Sequence, residues 1–328
     1  MNKKVIIGTG VLVTLALLFG GYENISKHRK DQFISKYPDQ SIQMLVAYKE
    51  GGGTDVGARI LAAAAESYLG QPIVVKNIQG GDGELGFKQL TMANANGYTV
   101  GFINLPTFLS LSMERDTVYS KESIIPIMNY VYDPAVIVVS KHSQWKTIEE
   151  LIQYSKANPL DMTISNNGRG ASNHIAAAQL AYEANIDVTH VPFGGTADML
   201  RALRYGHVKA TVAKVSEVAS HIESGELRML ATFTENRLEG FFDVPTLQEK
   251  GYPISFGSAR ALAVPKGTPE EIVDILHMAF KKAMENEEHI TQAKEANLPI
   301  KYMSPLELQR YIEQSEESLS NIIPKIGL

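Results

Sequence analysis

The chain has 328 residues, 44% of them hydrophobic and 20% charged, which is enough apolar material for one large or two medium cores and excludes a wholly disordered chain. Its net charge of −5 leaves no overall basic footprint for nucleic acid. The cysteine count of 0 excludes disulfides, thiolate metal sites, a cysteine nucleophile and a lipid-bearing N-terminal cysteine.

Residues 1–30 hold five bases and one acid, so the remaining 26 bases and 35 acids make the body acidic. Lys3 and Lys4 precede an uncharged, mostly apolar run over 5–22, about long enough to span a bilayer. It shows no small-x-small cleavage pattern. Residues 1–22 are therefore expected to be a signal peptide or an uncleaved membrane anchor. Lys3 and Lys4 would stay cytoplasmic, 5–22 would hold the membrane and 23–37 would form a polar tether. The body is expected to be exported, on the periplasmic or extracellular face.

From residue 41 onward, β-like runs alternate with helical ones. A strand is predicted over 42–47, a helix over 55–69 capped by Thr54, a strand over 72–76, a helix over 85–95 and a strand over 98–103. A second series gives a strand over 135–140, a helix over 147–157 capped by Thr147, and strands over 162–165 and 188–191. A helix over 198–205 and strands over 210–213, 228–232 and 261–264 follow. Closing helices over 269–285 and 305–320 each begin with Pro near the first position. Such alternation predicts an α/β fold with a largely parallel sheet.

The chemistry-bearing motifs mostly fail. The eight His residues form neither H-x-x-x-H nor H-E-x-x-H. Gly170-Ala171-Ser172-Asn173-His174 is half a nucleophile elbow, but His stands where the closing Gly belongs. Gly81, Gly83 and Gly86 match G-x-G-x-x-G, yet residues 101–111 hold no acid for a ribose, and Phe87-Lys88 spoils the P-loop alternative. No catalytic residue, metal or cofactor is expected, so the chain is not read as an enzyme.

Four glycine-rich turns remain. They are Gly51-Gly52-Gly53-Thr54-Asp55, Gly80-Gly81-Asp82-Gly83, Gly168-Arg169-Gly170-Ala171-Ser172 and Gly194-Gly195-Thr196. Each is expected to leave a strand and open a helix. Glycine lets a ligand approach the backbone, and a helix N-terminus offers free N–H groups and partial positive charge. The pattern points to a cleft for carboxylate or phosphate groups.

Six collinear segments carry a family resemblance: GGGTDVGARILAAAAESYLGQPIVVKNIQGGDGELG, NGYTVGF, NNGRGASNH, THVPFGGTADML, DVPTLQEKGYP and VPKGTPEEIV, together within about 41–288. The chain resembles the substrate-binding proteins of the tripartite tricarboxylate transporter system, the TctC or Bug family. The resemblance implies a two-lobed, periplasmic-binding-protein-like α/β fold (Venus flytrap, type II) with an interlobe ligand cleft. Lobe one would be 38–139 plus 258–328, and lobe two 140–257. The expected function is capture of a mono-, di- or tricarboxylate and its delivery to the large and small membrane subunits of a transporter. A carboxylate sensor feeding a signalling partner would have the same cleft. The acidic body is expected to be a monomer.

Carried over by position, the ligand loops would be Gly51, Gly52, Gly53, Thr54 and Asp55 with Gly81, Asp82 and Gly83 in lobe one. Lobe two would supply Gly168, Arg169, Gly170, Ser172 and His174 with Phe193, Gly194, Gly195 and Thr196. Asp55 would orient waters or accept an ammonium, or else serve only helix capping. The chain departs from the family pattern at several of these places. Tyr48-Lys49-Glu50 stands where Pro or small residues are usual, Ala171 replaces a hydroxyl residue, Phe193-Gly194 replaces Tyr-Lys, and Arg260 sits between Ala259 and Ala261 in place of a Trp-Gly context. Arg169 and Lys214 would restore positive charge in lobe two.

Overall fold

The structure, a computed structural model, describes Ile34 and residues 36–327. The expected leader over 1–22 and most of the 23–37 segment lie outside the described residues. Among the described residues no helix is long and apolar enough to cross a membrane.

The first half is built on β1 (Ile42–Val46), β2 (Ile73–Asn77) and β3 (Thr99–Leu105), with β1 pairing in parallel to both neighbours. Helix α1 (Gly53–Leu69) connects β1 to β2, and α2 (Glu84–Thr91) connects β2 to β3. The pleat explains the sequence of β1. Ile42, Met44 and Val46 enter one core while Leu45 and Ala47 enter another on the opposite face, so every position but the half-buried Gln43 is apolar. Helix α1 ends where Gly70 takes a left-handed conformation and its N–H reaches Glu66 O at 2.8 Å.

After α3 (Thr107–Glu114) the chain enters β4 (Ile124–Ser140), a strand of 17 residues. The second half follows as α4 (Ile148–Ala157), β5 (Thr163–Asn166), α5 (Ser172–Ala184), β6 (Thr189–Pro192), α6 (Thr196–Arg204), β7 (Ala210–Lys214), α7 (Val215–Glu223) and β8 (Leu227–Thr232). The chain then returns through β9 (Gly257–Pro265), α8 (Glu270–Met284), α9 (Glu287–Glu295), β10 (Ile300–Met303) and α10 (Pro305–Ile326).

Strand β4 belongs to two sheets. Its residues from Ile124 to Pro134 pair antiparallel with β9, whereas Ala135 to Ser140 pair antiparallel with β7 and β8. Beyond β7 lie β5 and β6, in parallel. The sheets are therefore mixed rather than largely parallel, because β4, β9 and β10 run against their neighbours. The returning chain crosses beside β4, where Ala135 N–H donates to Phe256 O at 2.9 Å.

Helices cover both faces of each sheet. In the first half α1 and α8 close one side through Leu61, Leu276 and Phe280, while α2, α3 and α10 close the other through Phe87, Phe108 and Ile312. In the second half α4 and α5 bury Leu151 and Leu180 on one face, and α6 and α7 bury Leu203 and Val218 on the other. Side chains of β4 alternate between those two cores: Ile137 and Val139 one way, Val136 and Val138 the other. Helix α10 also meets Ile175 of α5, so it packs across both halves. Its start is fixed by a capping box, with Ser304 N–H donating to Glu307 at 2.7 Å and Glu307 N–H returning to Ser304 Oγ at 3.4 Å.

Candidate functional site

The strands of both halves send their connections toward the junction, and a cavity of about 110 Å³ lies there. Four helix N-termini reach it: α1 with Gly52, Gly53 and Thr54, α5 with Ser172 and Asn173, α6 with Gly195 and Thr196, and α7 with Lys214 and Glu217. Gly52, Ala171 and Gly195, the residues before α1, α5 and α6, supply no side-chain cap. At α5 the first two N–H groups donate to Thr107 Oγ1 and Asn167 Oδ1, whereas those of α1 and α6 are left to other acceptors, and all three dipoles add positive potential at the cavity.

Strand ends bring the charged groups. Arg260 of β9 is 3% exposed and its Nη2 donates to Asp133 Oδ2 at 2.6 Å. Asp133 is fully buried and also accepts from Ser216, through its N–H at 3.2 Å and through its hydroxyl. The other Arg260 terminal nitrogen, Nη1, has no hydrogen-bond partner among the described residues. Gly53 is required beneath this guanidinium, because a Cβ there would lie 2.8 Å from Arg260 Nη2. Lys214, the last residue of β7, is 3% exposed, and among the described residues its Nζ has no hydrogen-bond partner, while the Phe256 ring centroid lies 6.0 Å away. Burial lowers its ammonium to about 8, against the opposing pull of Glu217 and Asp133. Glu217 is held in place by the Thr196 hydroxyl at 2.8 Å and the Lys214 N–H at 2.8 Å.

Neutral polar groups complete the wall. Asn104 Nδ2 donates to Thr54 Oγ1 at 2.8 Å, and Ser172 N–H donates to Thr107 Oγ1 at 3.2 Å across the two halves. Asn104 Oδ1 and Asn173 Oδ1 are buried without partners among the described residues. Burial raises the Tyr48 phenol well above its ordinary value, so it stays neutral. A second compartment of about 440 Å³ adjoins the cavity and shares Lys49, Gly52, Gly53, Gly195, Thr196 and Glu217 with it. The arrangement can hold an anion by hydrogen bonds and charge. Among the described residues no cluster of three His, Asp or Glu side chains is placed to hold a metal ion.

The structure brings together Gly52, Gly53, Thr54, Ser172, Gly194, Gly195, Thr196 and Lys214 of the expected site residues, while Gly51 lines the adjoining compartment. It places the others elsewhere. Asp55 faces its own loop, accepting from Gly51 N–H at 2.8 Å, Asn77 at 2.9 Å and Arg59 at 3.1 Å. Burial opposes its ionisation, but those bonds prevail and hold its carboxyl below the usual range. Gly81, Asp82 and Gly83 meet Gly168, Arg169 and Gly170 from the other half instead of lining the cavity. Arg115 joins them, donating to Asp82 at 2.6 Å, Gly81 O at 3.0 Å and Arg169 O at 3.3 Å. Ser110 reaches Gly170 O at 2.7 Å. The Arg169 side chain is exposed.

His174 accepts from Gly170 N–H at 3.1 Å, and burial lowers it to about 4, with His190 and Arg169 adding to the effect, so it is neutral loop support. Phe193 packs into the second-half core. Sequence reasoning did not single out Asn104, Thr107, Asn167, Asn173, Glu217 and Ser258 as site residues, and it left the facing of Arg260 open. Several of these sit at strand ends or helix starts without glycine to mark them.

Comparison with known proteins gives concordant matches. The family model described as "Tripartite tricarboxylate transporter family receptor" matches residues 57–328. A Cupriavidus necator protein described as "UPF0065 protein in gbd 5'region" is 33% identical over 296 residues, covering 89% of each chain. A solved TctC solute binding protein from Polaromonas, with no ligand, is 32% identical with a TM-score of 0.72, covering 88% of this chain and 99% of its own. An R. palustris protein solved with adipate is 25% identical with a TM-score of 0.81, covering 89% of this chain and 98% of its own. The two halves thus form the two-lobed fold of the periplasmic binding proteins.

Proposed function

The chain belongs to the tripartite tricarboxylate transporter receptor family, and from that premise we propose that it captures a small organic acid at the junction cavity and hands it to a transporter in the membrane. It would act outside the cytoplasm, as a monomer, and perform no reaction on its ligand. The observation that carries this reading is the pairing of Arg260 Nη1 and Lys214 Nζ, both buried and unpartnered among the described residues, with the N-termini of α1 and α6, which lack side-chain caps. An unpaired buried donor is costly, and a carboxylate would satisfy several at once. The R. palustris neighbour with adipate supports an acid as the ligand class. A cavity of about 110 Å³ is small beside the roughly 300–1,000 Å³ of drug-sized sites, which fits a compact anionic group.

Strand pairing supports lobe limits at the two crossings beside β4, near Pro134–Ala135 and Phe256–Gly257. The first lies earlier than the 139/140 limit read from the sequence, because Ala135 to Ser140 pair within the second sheet.

A thermal-shift panel of organic acids, sugars and nucleotides tests the function. A ligand confined to the folded state stabilises it by about 2.7 kcal/mol at a hundredfold excess over Kd. Organic acids should raise Tm. Shifts with sugars or nucleotides alone would overturn the ligand class.

A further inference from the structure

We infer that the ligand is two-ended, with a compact anionic head in the inner cavity and an uncharged aliphatic or aryl body in the adjoining compartment. The inference rests on the carboxylate reading above and narrows it. The two compartments make opposite demands. The inner one leaves Arg260 Nη1 and Lys214 Nζ without partners among the described residues and presents helix N-termini. The outer one has aliphatic walls from both halves: Val56 of α1, Leu200 of α6, and Ala296 with Leu298 after α9.

Apart from Lys49, the charged groups on its rim are already committed. Glu50 lies 3.7 Å from Arg59, Asp198 lies 3.5 Å from Arg201, and His221 Nδ1 lies 2.8 Å from Glu226. Glu217, common to both compartments, is bound by Thr196 and Lys214 N–H. Lys49 stands at the neck, since a Cβ on Gly194 across the cleft would lie 3.8 Å from its Nζ. It lines both compartments, so its charge is open to the head at the point where the two meet. A cavity of about 110 Å³ cannot enclose a long acid, and the shared Gly52, Gly53, Gly195 and Thr196 give its body a way into the larger space of about 440 Å³.

The test is titration calorimetry of the full chain at pH 7 with butyrate, pentanoate, hexanoate, heptanoate and adipate. Burying apolar carbon should lower Kd about fourfold per methylene along the monoacid series. Hexanoate should bind more tightly than adipate, whose second carboxylate would have to leave water among Val56, Leu200, Ala296 and Leu298. Ala296→Phe fills that compartment from the wall farthest in sequence from the cationic groups, and should flatten the series. Measurable binding with a flat series, adipate tighter than hexanoate, or an undiminished slope in Ala296→Phe overturns the two-ended ligand. Failure of every acid to bind removes the carboxylate site itself, and this inference with it.

Discussion

Lys214 shows how a single buried side chain ties ligand binding to pH. Its folded-state ammonium sits at about 8, below the roughly 10.4 of a free lysine. The folded protein therefore sheds this proton first. The cost of burying the charge is present below pH 8 and is relieved as pH rises from there toward 10.4. An incoming carboxylate reverses that preference, because it favours the charged form beside Glu217, Asp133 and Arg260. Affinity for an acid should therefore weaken as pH rises through 8, by at most about tenfold per unit, with proton uptake on binding. Calorimetry in buffers of differing ionisation enthalpy reads that proton. Lys214→Met should bind more weakly at pH 7 and lose the pH dependence; a dependence that survives in this variant assigns it to another group. The sequence placed Lys214 among the site residues only as a replacement for lost positive charge. Its burial was not legible, because nothing in the local pattern says that Phe256, far along the chain, will lie against it.

At the scale of elements, the glycine-rich turns divide into two kinds that look alike in the sequence. Those before α1 and α6 border the cavity, whereas Gly81–Gly83 and the turn from Gly168 to Gly170 bear on each other across the cleft. Gly168 has φ +124°, and a Cβ there would lie 2.2 Å from Asp82 Oδ1. Gly168→Ala should therefore prevent this closed contact. We expect acid release at least tenfold faster by stopped flow, with a loss of stability of about 1–3 kcal/mol from placing Ala at that backbone angle. Unchanged release would show that the contact does not govern opening. Most strands and helices could be read from periodicity, but the first part of β4 could not. Pro126, Asn129, Asp133 and Pro134 break its apolar pattern. Two of them have tertiary duties: Asn129 Nδ2 donates to Lys301 O at 2.6 Å beside β10, and Asp133 anchors Arg260. Helix α7 was missed for a related reason: its local cap is Glu217 accepting from the N–H of Lys214, a residue type that does not mark a helix start, and Ser216 serves Asp133.

At the scale of the whole molecule, the collinear segments and the glycine turns announced a two-lobed anion receptor, and the structural comparisons agree on the fold. What one-dimensional reading cannot supply is how tightly the lobes depend on each other. Strand β4 answers that, because its 17 residues lie in both sheets and β9 runs beside it. Melting either lobe would strip the other of part of a strand with fully buried residues such as Val131 and Ile137 on each side of the crossing. Chains of this size often unfold in stages. Here the shared strand should fuse the stages, so that calorimetry of the protein without ligand gives one endotherm whose van't Hoff and calorimetric enthalpies agree. Two resolved endotherms would mean that the lobes melt as separate cooperative units despite the strand they share.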